Sequence, residues 1–311
     1  MMAASTTTEM RMRALRIRVV WALLLLACGA WLSTVAAART APVPGSLHAR
    51  LVALDATPAQ PPAERLAAMR IAYAQAAPVT MQPAACTALP DDRLQDLFRS
   101  TALIAFYARE PATLLRLQCL YEALVARDLA ADEHHRAMRG SLIALQRFDE
   151  ANALNDRLQT PPAALPQIQG NTLVGRPLLR MMGLAQVERT VLAEAGVVVV
   201  AVVHPYCGFS RRALEAITTR PDYAWLRSHL QLVVPIGQAW PGQEMLDWNT
   251  AHPALPMQPM VSDPSWQVLD TGQSPVFHLL RDGKVVATVS GWPPEGADLR
   301  LFRAALEAEQ R

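Results

Sequence analysis

The sequence predicts an α/β domain at the C-terminal end, preceded by an all-α region of helical hairpins and, ahead of that, an N-terminal signal or anchor segment. Three observations predict this architecture. Apolar residues recur at helical spacing between residues 63 and 160. After a proline cluster at Pro161 and Pro162, apolar runs of strand length alternate with helix-like stretches. The first 38 residues run from basic to apolar to small. At 311 residues the chain is long enough for two domains with their own cores, and 51% hydrophobic content excludes wholesale disorder. A net charge of +2 is too small to argue for nucleic acid or acidic partners. The basic residues are almost all arginine, with Lys284 the only lysine, which reads as composition rather than phosphate binding.

Arg11, Arg13, Arg16 and Arg18 form a basic leader, residues 19–32 are almost uninterrupted apolar sequence, and Ala36-Ala37-Ala38 offers an A-x-A cleavage site. Export follows; the fate of the leader stays open. Residues 19–38 would span about 30 Å as a helix, so an uncleaved anchor fits. Leu25-Leu26-Ala27-Cys28 resembles a lipoprotein box with Cys28 as the lipidated residue. All three fates orient the mature chain out of the cytosol, in the periplasm or on the outer face of the inner membrane of a bacterium. Residues 39–62 are rich in proline and alanine and read as a linker.

The helical region, 63–160, divides into helices at 63–76, 91–108, 112–126 and 132–158, the last broken around Arg147. The first shows helical spacing in Leu66, Met69, Ile71 and Tyr73. Asp91 and Asp92 suit a helix start, and Pro111 sits where a helix begins again. Gly140, Ala144, Phe148, Ala151 and Leu154 resemble half of a tetratricopeptide repeat; a small helical bundle without repeat character explains them as well. His134 and His135 are adjacent, have no ligand spacing around them, and read as surface residues. In an exported chain, Cys86 and Cys119 read either as a structural disulfide or as two buried apolar cysteines, Cys119 lying in a stripe with Leu115 and Leu120.

Residues 161–195 read as a linker and a leading helix over 178–195, and residues 196–311 as the α/β domain. Its elements are a buried strand at 197–203, a helix beginning at Cys207, a strand at 230–236, an irregular insertion at 237–273, strands at 276–280 and 284–290, and an amphipathic helix at 299–309. Asp282-Gly283 between apolar runs is a hairpin signal. The stretch at 197–217, VVVVAVVHPYCGFSRRALEAI, places Cys207 at a strand-to-helix junction. The first helical turn leaves N–H groups unpaired and carries about half a positive charge, which favours a thiolate. Three residues on stands Ser210 rather than a second cysteine, so the chemistry is that of one thiol. His204, if protonated, would stabilise that thiolate; otherwise it is an ordinary strand-end residue. The Ser210 hydroxyl has an analogous pair of readings, donor to the thiolate or helix N-terminal residue. Trp240, Trp248, Trp266 and Trp292 read as packing residues.

Two ordered elements, H-P-Y-C-G-F-S at the helix start and Ser274-Pro275 followed by VFHLLRDGKVVATVSGW, resemble the thioredoxin-like superfamily over residues 196–310. The resemblance implies that Cys207 is the catalytic thiol with Ser210 and Pro275 beside it. It further implies that Pro275 is cis and packs against Cys207, that His204, Pro205, Tyr206, Gly208 and Phe209 border the substrate, and that the Ser274 backbone pairs with a bound peptide. Residues 205–211 also resemble the active loop of CGFS monothiol glutaredoxins. The lysine those proteins carry before the loop is replaced by Val202 and Val203, and their glycine-rich glutathione-binding turn by Ser290-Gly291-Trp292. These departures, with export, argue against an iron–sulfur role. No metal or resident cofactor is expected; glutathione would serve as a resolving thiol.

One thiol can form a mixed disulfide but cannot resolve it within the chain. The reading is therefore an extracytoplasmic thiol–disulfide exchange protein, isomerase- or reductase-like, whose partners are protein substrates or a redox partner with thiols. The competing reading is a thioredoxin-like binding scaffold in the cell envelope, without catalysis.

Overall fold

The computed structural model describes residues 45–57, 61–77, 82–269, 271–293 and 296–309. The signal or anchor segment and Cys28 lie outside them. The first element already departs from expectation, because Leu47–Asp55 form a helix, α1, inside what reads as linker. The Ser46 hydroxyl accepts from the Ala49 N–H at 3.1 Å, and the Asp96 carboxylate accepts from the Leu47 and His48 N–H groups at 3.1 and 2.9 Å. A side chain distant in sequence thus satisfies orphan donors at the helix start.

Six more helices follow: α2 (Pro62–Ala76), α3 (Pro83–Thr87), α4 (Asp91–Ala108), α5 (Pro111–Ala126), α6 (Asp132–Ala144) and α7 (Phe148–Asn152). The expected break falls at Arg147, which precedes α7 with non-helical dihedrals. Leu94, Leu97 and Phe98 of α4 interlock with Leu117, Leu120 and Leu124 of α5, all buried. The Cys119 stripe needs correcting. Leu115 is exposed while Cys119 and Leu120 are buried, because α5 turns a narrower face inward. Cys86 of α3 and Cys119 of α5 form a disulfide. His134 is likewise not a surface residue: only 3% of it is exposed, edge-on against Phe98, and its Nδ1 accepts from the Ala131 N–H at 2.9 Å. Helix-end geometry rather than sequence spacing turned it inward.

The region expected as helix over 178–195 is a β-hairpin. Strands β2 (Pro177–Met181) and β3 (Gln186–Val191) pair antiparallel around a turn at Gly183, with β1 (Gln167–Gln169) parallel on the far side of β3. Arg180 faces Glu188 across the ladder. Leu178 and Leu179 are both fully buried, one toward each of two cores. A strand buried on both faces loses its alternation and mimics a helix in periodicity.

The central sheet has the order β6-β5-β4-β7-β8, built from β4 (Val197–Val202), β5 (Leu230–Val234), β6 (Met257–Pro259), β7 (Val276–Arg281) and β8 (Lys284–Ser290). β4 runs parallel to β5 and antiparallel to β7; β5 is parallel to β6 and β7 antiparallel to β8. Between β4 and β5 lie α8 (Gly208–Thr219) and the short α9 (Ala224–Arg227). The insertion before β7 is not irregular throughout, since it carries α10 (Gly242–Ala251) and β6; α11 (Arg300–Glu309) closes the chain. Val197, Val199 and Ala201 pack with Ala213, Leu214 and Ile217 of α8 and with Phe302 and Leu306 of α11. The opposite face, with Val200 and Val202, is covered by Leu178, Leu192, Met260, Trp266 and Leu269. Burial on both faces explains the uninterrupted apolar run of β4. Asp282 and Gly283 both have positive φ, 48° and 75°, as the tight β7–β8 turn requires.

The described residues form one compact unit, and the helices share a continuous core with the sheet. Gly140 of α6 sits against Gln238, where a Cβ would lie 2.8 Å from the Gln238 Cβ. Its small size thus serves contact with the α/β domain rather than with a neighbouring repeat. Among the described residues no helix is long and apolar enough to cross a membrane.

Candidate functional site

β4 delivers the chain to residues 203–207 at its C-terminal end, where parallel strands leave a crevice for ligands. The Val203 N–H still bonds to the Val233 carbonyl, and the chain then turns, with the Cys207 N–H donating to the His204 carbonyl at 2.9 Å. Cys207 is the residue preceding α8, in extended conformation, and the Arg211 N–H donates to its carbonyl. Ser210 is fully buried in the first turn, its Oγ accepting from the His204 N–H at 3.2 Å. That bond leaves the hydroxyl proton free to point toward the sulfur. Pro205 is buried, while Tyr206 and Phe209 stand out on either side of Cys207, each more than half exposed. The Arg212 guanidinium lies over the Phe209 ring at 4.6 Å.

From across the sheet, the residues before β7 complete the site. The Ser274–Pro275 peptide is cis, Pro275 is buried, and the Cys207 Sγ donates to the Ser274 carbonyl at 3.2 Å. Burial raises the Cys207 pKa, but hydrogen bonds from the Ser274 side chain, from the Ser210 N–H and hydroxyl, and from the Phe209 N–H outweigh it and leave the thiol below its ordinary value. No acidic side chain occupies the first turn of α8 to oppose this.

His204 does not act as a cation here. Burial, and then the positive charge of Arg109, hold its pKa below the usual imidazole value, and its Nδ1 accepts from the Tyr206 N–H at 3.3 Å. A protonated ring could not accept that bond. The neutral ring is therefore part of the loop's turn. Partial burial and then a hydrogen bond with Glu244 of α10 push the Tyr206 phenol up.

The strand order, the cysteine at the start of α8 and the facing Ser274–Pro275 segment now stand together. The C-terminal residues form a mixed five-stranded sheet with α8 and α11 on one face. No protein-family model matches the chain, and no curated protein matches it. A solved structure, a thioredoxin-like protein from Bacteroides caccae, is similar over 82% of this chain and 96% of its own, at 12% identity and a TM-score of 0.30.

The structure brings Cys207, Ser210, Ser274 and Pro275 together, with His204, Pro205, Tyr206, Gly208 and Phe209 around them, and keeps Cys86 and Cys119 in the helical core. Sequence reasoning missed Arg109, which follows α4, and Glu244, which lies in the insertion. Neither sits in a motif, and only the packing of the helices against the sheet brings them to the loop. Among the described residues no group of three or more His, Cys, Asp or Glu side chains is placed to hold a metal ion.

Proposed function

We propose that this chain is an extracytoplasmic thiol–disulfide exchange protein acting through a single nucleophilic cysteine, Cys207. The observation that carries this reading is the placement of the sulfur, part-exposed at the first turn of α8 beside Ser274 and Pro275, with its thiol held below the ordinary value. Export is supported by the basic, apolar and A-x-A leader and by the Cys86–Cys119 disulfide, a bond that persists in oxidising compartments.

The thiolate attacks one sulfur of a substrate disulfide. That S–S bond breaks, a Cys207–substrate bond forms, and the other sulfur leaves as a thiolate. In the resting thiol the Ser274 carbonyl accepts from the S–H. Once the sulfur carries a substrate it has no proton to donate, and the carbonyl is released to accept a substrate backbone N–H in strand fashion. With Ser210 in place of a second cysteine, release needs an external thiol on the substrate, on a partner protein or on glutathione. Attack by that thiol reforms the Cys207 thiolate and passes the disulfide on. This suits isomerase- or reductase-like turnover.

The test is the pH dependence of Cys207 alkylation, with glutathione disulfide as the acceptor in a parallel assay. The rate should inflect below the ordinary thiol value of about 8.5, and a glutathione adduct should form in the wild type and not in Cys207→Ala. Inflection at or above that value with no adduct would overturn the catalytic reading in favour of a thioredoxin-like binding scaffold.

A further inference from the structure

The helical domain touches the residues after β5 at four points. The Arg109 Nη1 donates to the Ile236 carbonyl at 3.3 Å, Gly140 sits under Gln238, Phe148 meets Trp240 edge-on at 5.1 Å, and the Gln146 Oε1 accepts from the Ser262 N–H at 2.8 Å. Two of these side chains share an uncommon backbone state. Arg109 and Gln146 end helices in the left-handed conformation, with φ of 47° and 54°. Glycine is the residue that occupies such positions without steric cost. A non-glycine there is sterically strained, and in both cases the side chain reaches across to the residues after β5. For Arg109 the destination is the edge of the redox loop, since Ile236 follows β5, the strand paired with β4, and β4 leads into His204.

We propose that Arg109, at the end of α4, is a positioning residue of the Cys207 site: it pins the Ile236 carbonyl beside the loop that runs from His204 to Cys207. The inference rests on the reading of Cys207 as the working thiol. His204 must stay unprotonated for its Nδ1 to accept from the Tyr206 N–H, and that bond shapes the turn immediately before Cys207. The groups that act on the ring are Arg109, from the end of α4, and Tyr206, whose ring lies 5.4 Å away and which in turn engages Glu244 of α10. Arg109 is the cation, and it arrives from the helical region. The helical domain thereby becomes part of the thiol site.

The test uses the full exported chain with three variants: Arg109→Gln, Arg109→Gly and Arg109→Lys. Glycine removes the guanidinium while suiting the left-handed helix end, so loss of folding does not obscure the result. The His204 titration, followed by NMR of its ring protons, should shift upward in Arg109→Gln and Arg109→Gly and stay near the wild type in Arg109→Lys. In the first two, the alkylation profile of Cys207 should gain a second inflection at the new His204 titration. His204 curves that superimpose across wild type and Arg109→Gly, or a Lys variant indistinguishable from Gln, would overturn the proposal. The His204 readout does not depend on thiol reactivity. An ordinary Cys207 titration in the wild type would instead refute the exchange function.

Discussion

Replacing both bridged cysteines by alanine should expose how much of the helical domain depends on one covalent bond. Cys86 and Cys119 are 33 residues apart. The chain-entropy relation for a loop of about that length gives about 3.7 kcal/mol at 25 °C, the stabilisation that comes from restricting the unfolded chain. Domains are commonly stable by only about 5–15 kcal/mol, so this is a large share. Both cysteines are buried, at 0% and 9% exposure, and alanine keeps the sites apolar, so little else changes. With an m-value near 3 kcal/mol/M, the urea midpoint of Cys86→Ala/Cys119→Ala, followed by far-ultraviolet circular dichroism, should fall by about 1 M. The loss should also be local. α3 has five residues and no side-chain cap, so hydrogen exchange in α3 should accelerate before that of α4 and α5. Reductant added to the native protein should leave the bridge closed, and in urea should open it. A double variant with the wild-type midpoint, or a non-reduced peptide map in which both cysteines are alkylated, would refute the reasoning.

Ser210→Cys places a second thiol in the first turn of α8 and should confer insulin-reducing turnover in the presence of a thiol donor; no gain would mean that the buried 210 side chain cannot reach a Cys207 mixed disulfide. His134 supplies a pH test of stability. Burial, outweighing the opposing Glu133 charge, keeps its folded pKa below the unfolded value of about 6.5. The unfolded chain therefore binds the proton first, and stability should be intact above about pH 6.5 and decline as pH falls from there toward the folded pKa. His134→Gln should flatten that decline, and unchanged pH profiles of the urea midpoint would sink the assignment.

Much of the fold was legible because it depends on local signals. Asp91 and Pro111 marked helix starts to within a residue, since orphan N–H groups and a fixed proline φ act at short range. The Asp282-Gly283 turn was legible for the same reason, positive φ being a property of two residues. The hairpin at β2 and β3 was not. Its Leu178 and Leu179 go to opposite cores, and the sequence alone cannot tell a doubly buried strand from a buried helix segment. The helix at Leu47–Asp55 was also missed, although Ser46 caps it locally, because the proline and alanine around it read as linker and its second cap, Asp96, stands 49 residues away.

For the site, the sequence by itself placed the thiol. One cysteine at a strand-to-helix junction, followed by a serine in its first turn, specifies a single thiol in the field of a helix start. Tertiary structure decided what surrounds that thiol. It set the Ser274 carbonyl against the sulfur from 67 residues away, brought Arg109 from the end of α4 against the Ile236 carbonyl, and chose a bridge for Cys86 and Cys119 over two free thiols. The physical reason is range. Helix dipoles and turn preferences act within a few residues of chain, whereas desolvation, fixed charges and hydrogen-bond partners act through space and exist only once the chain has folded.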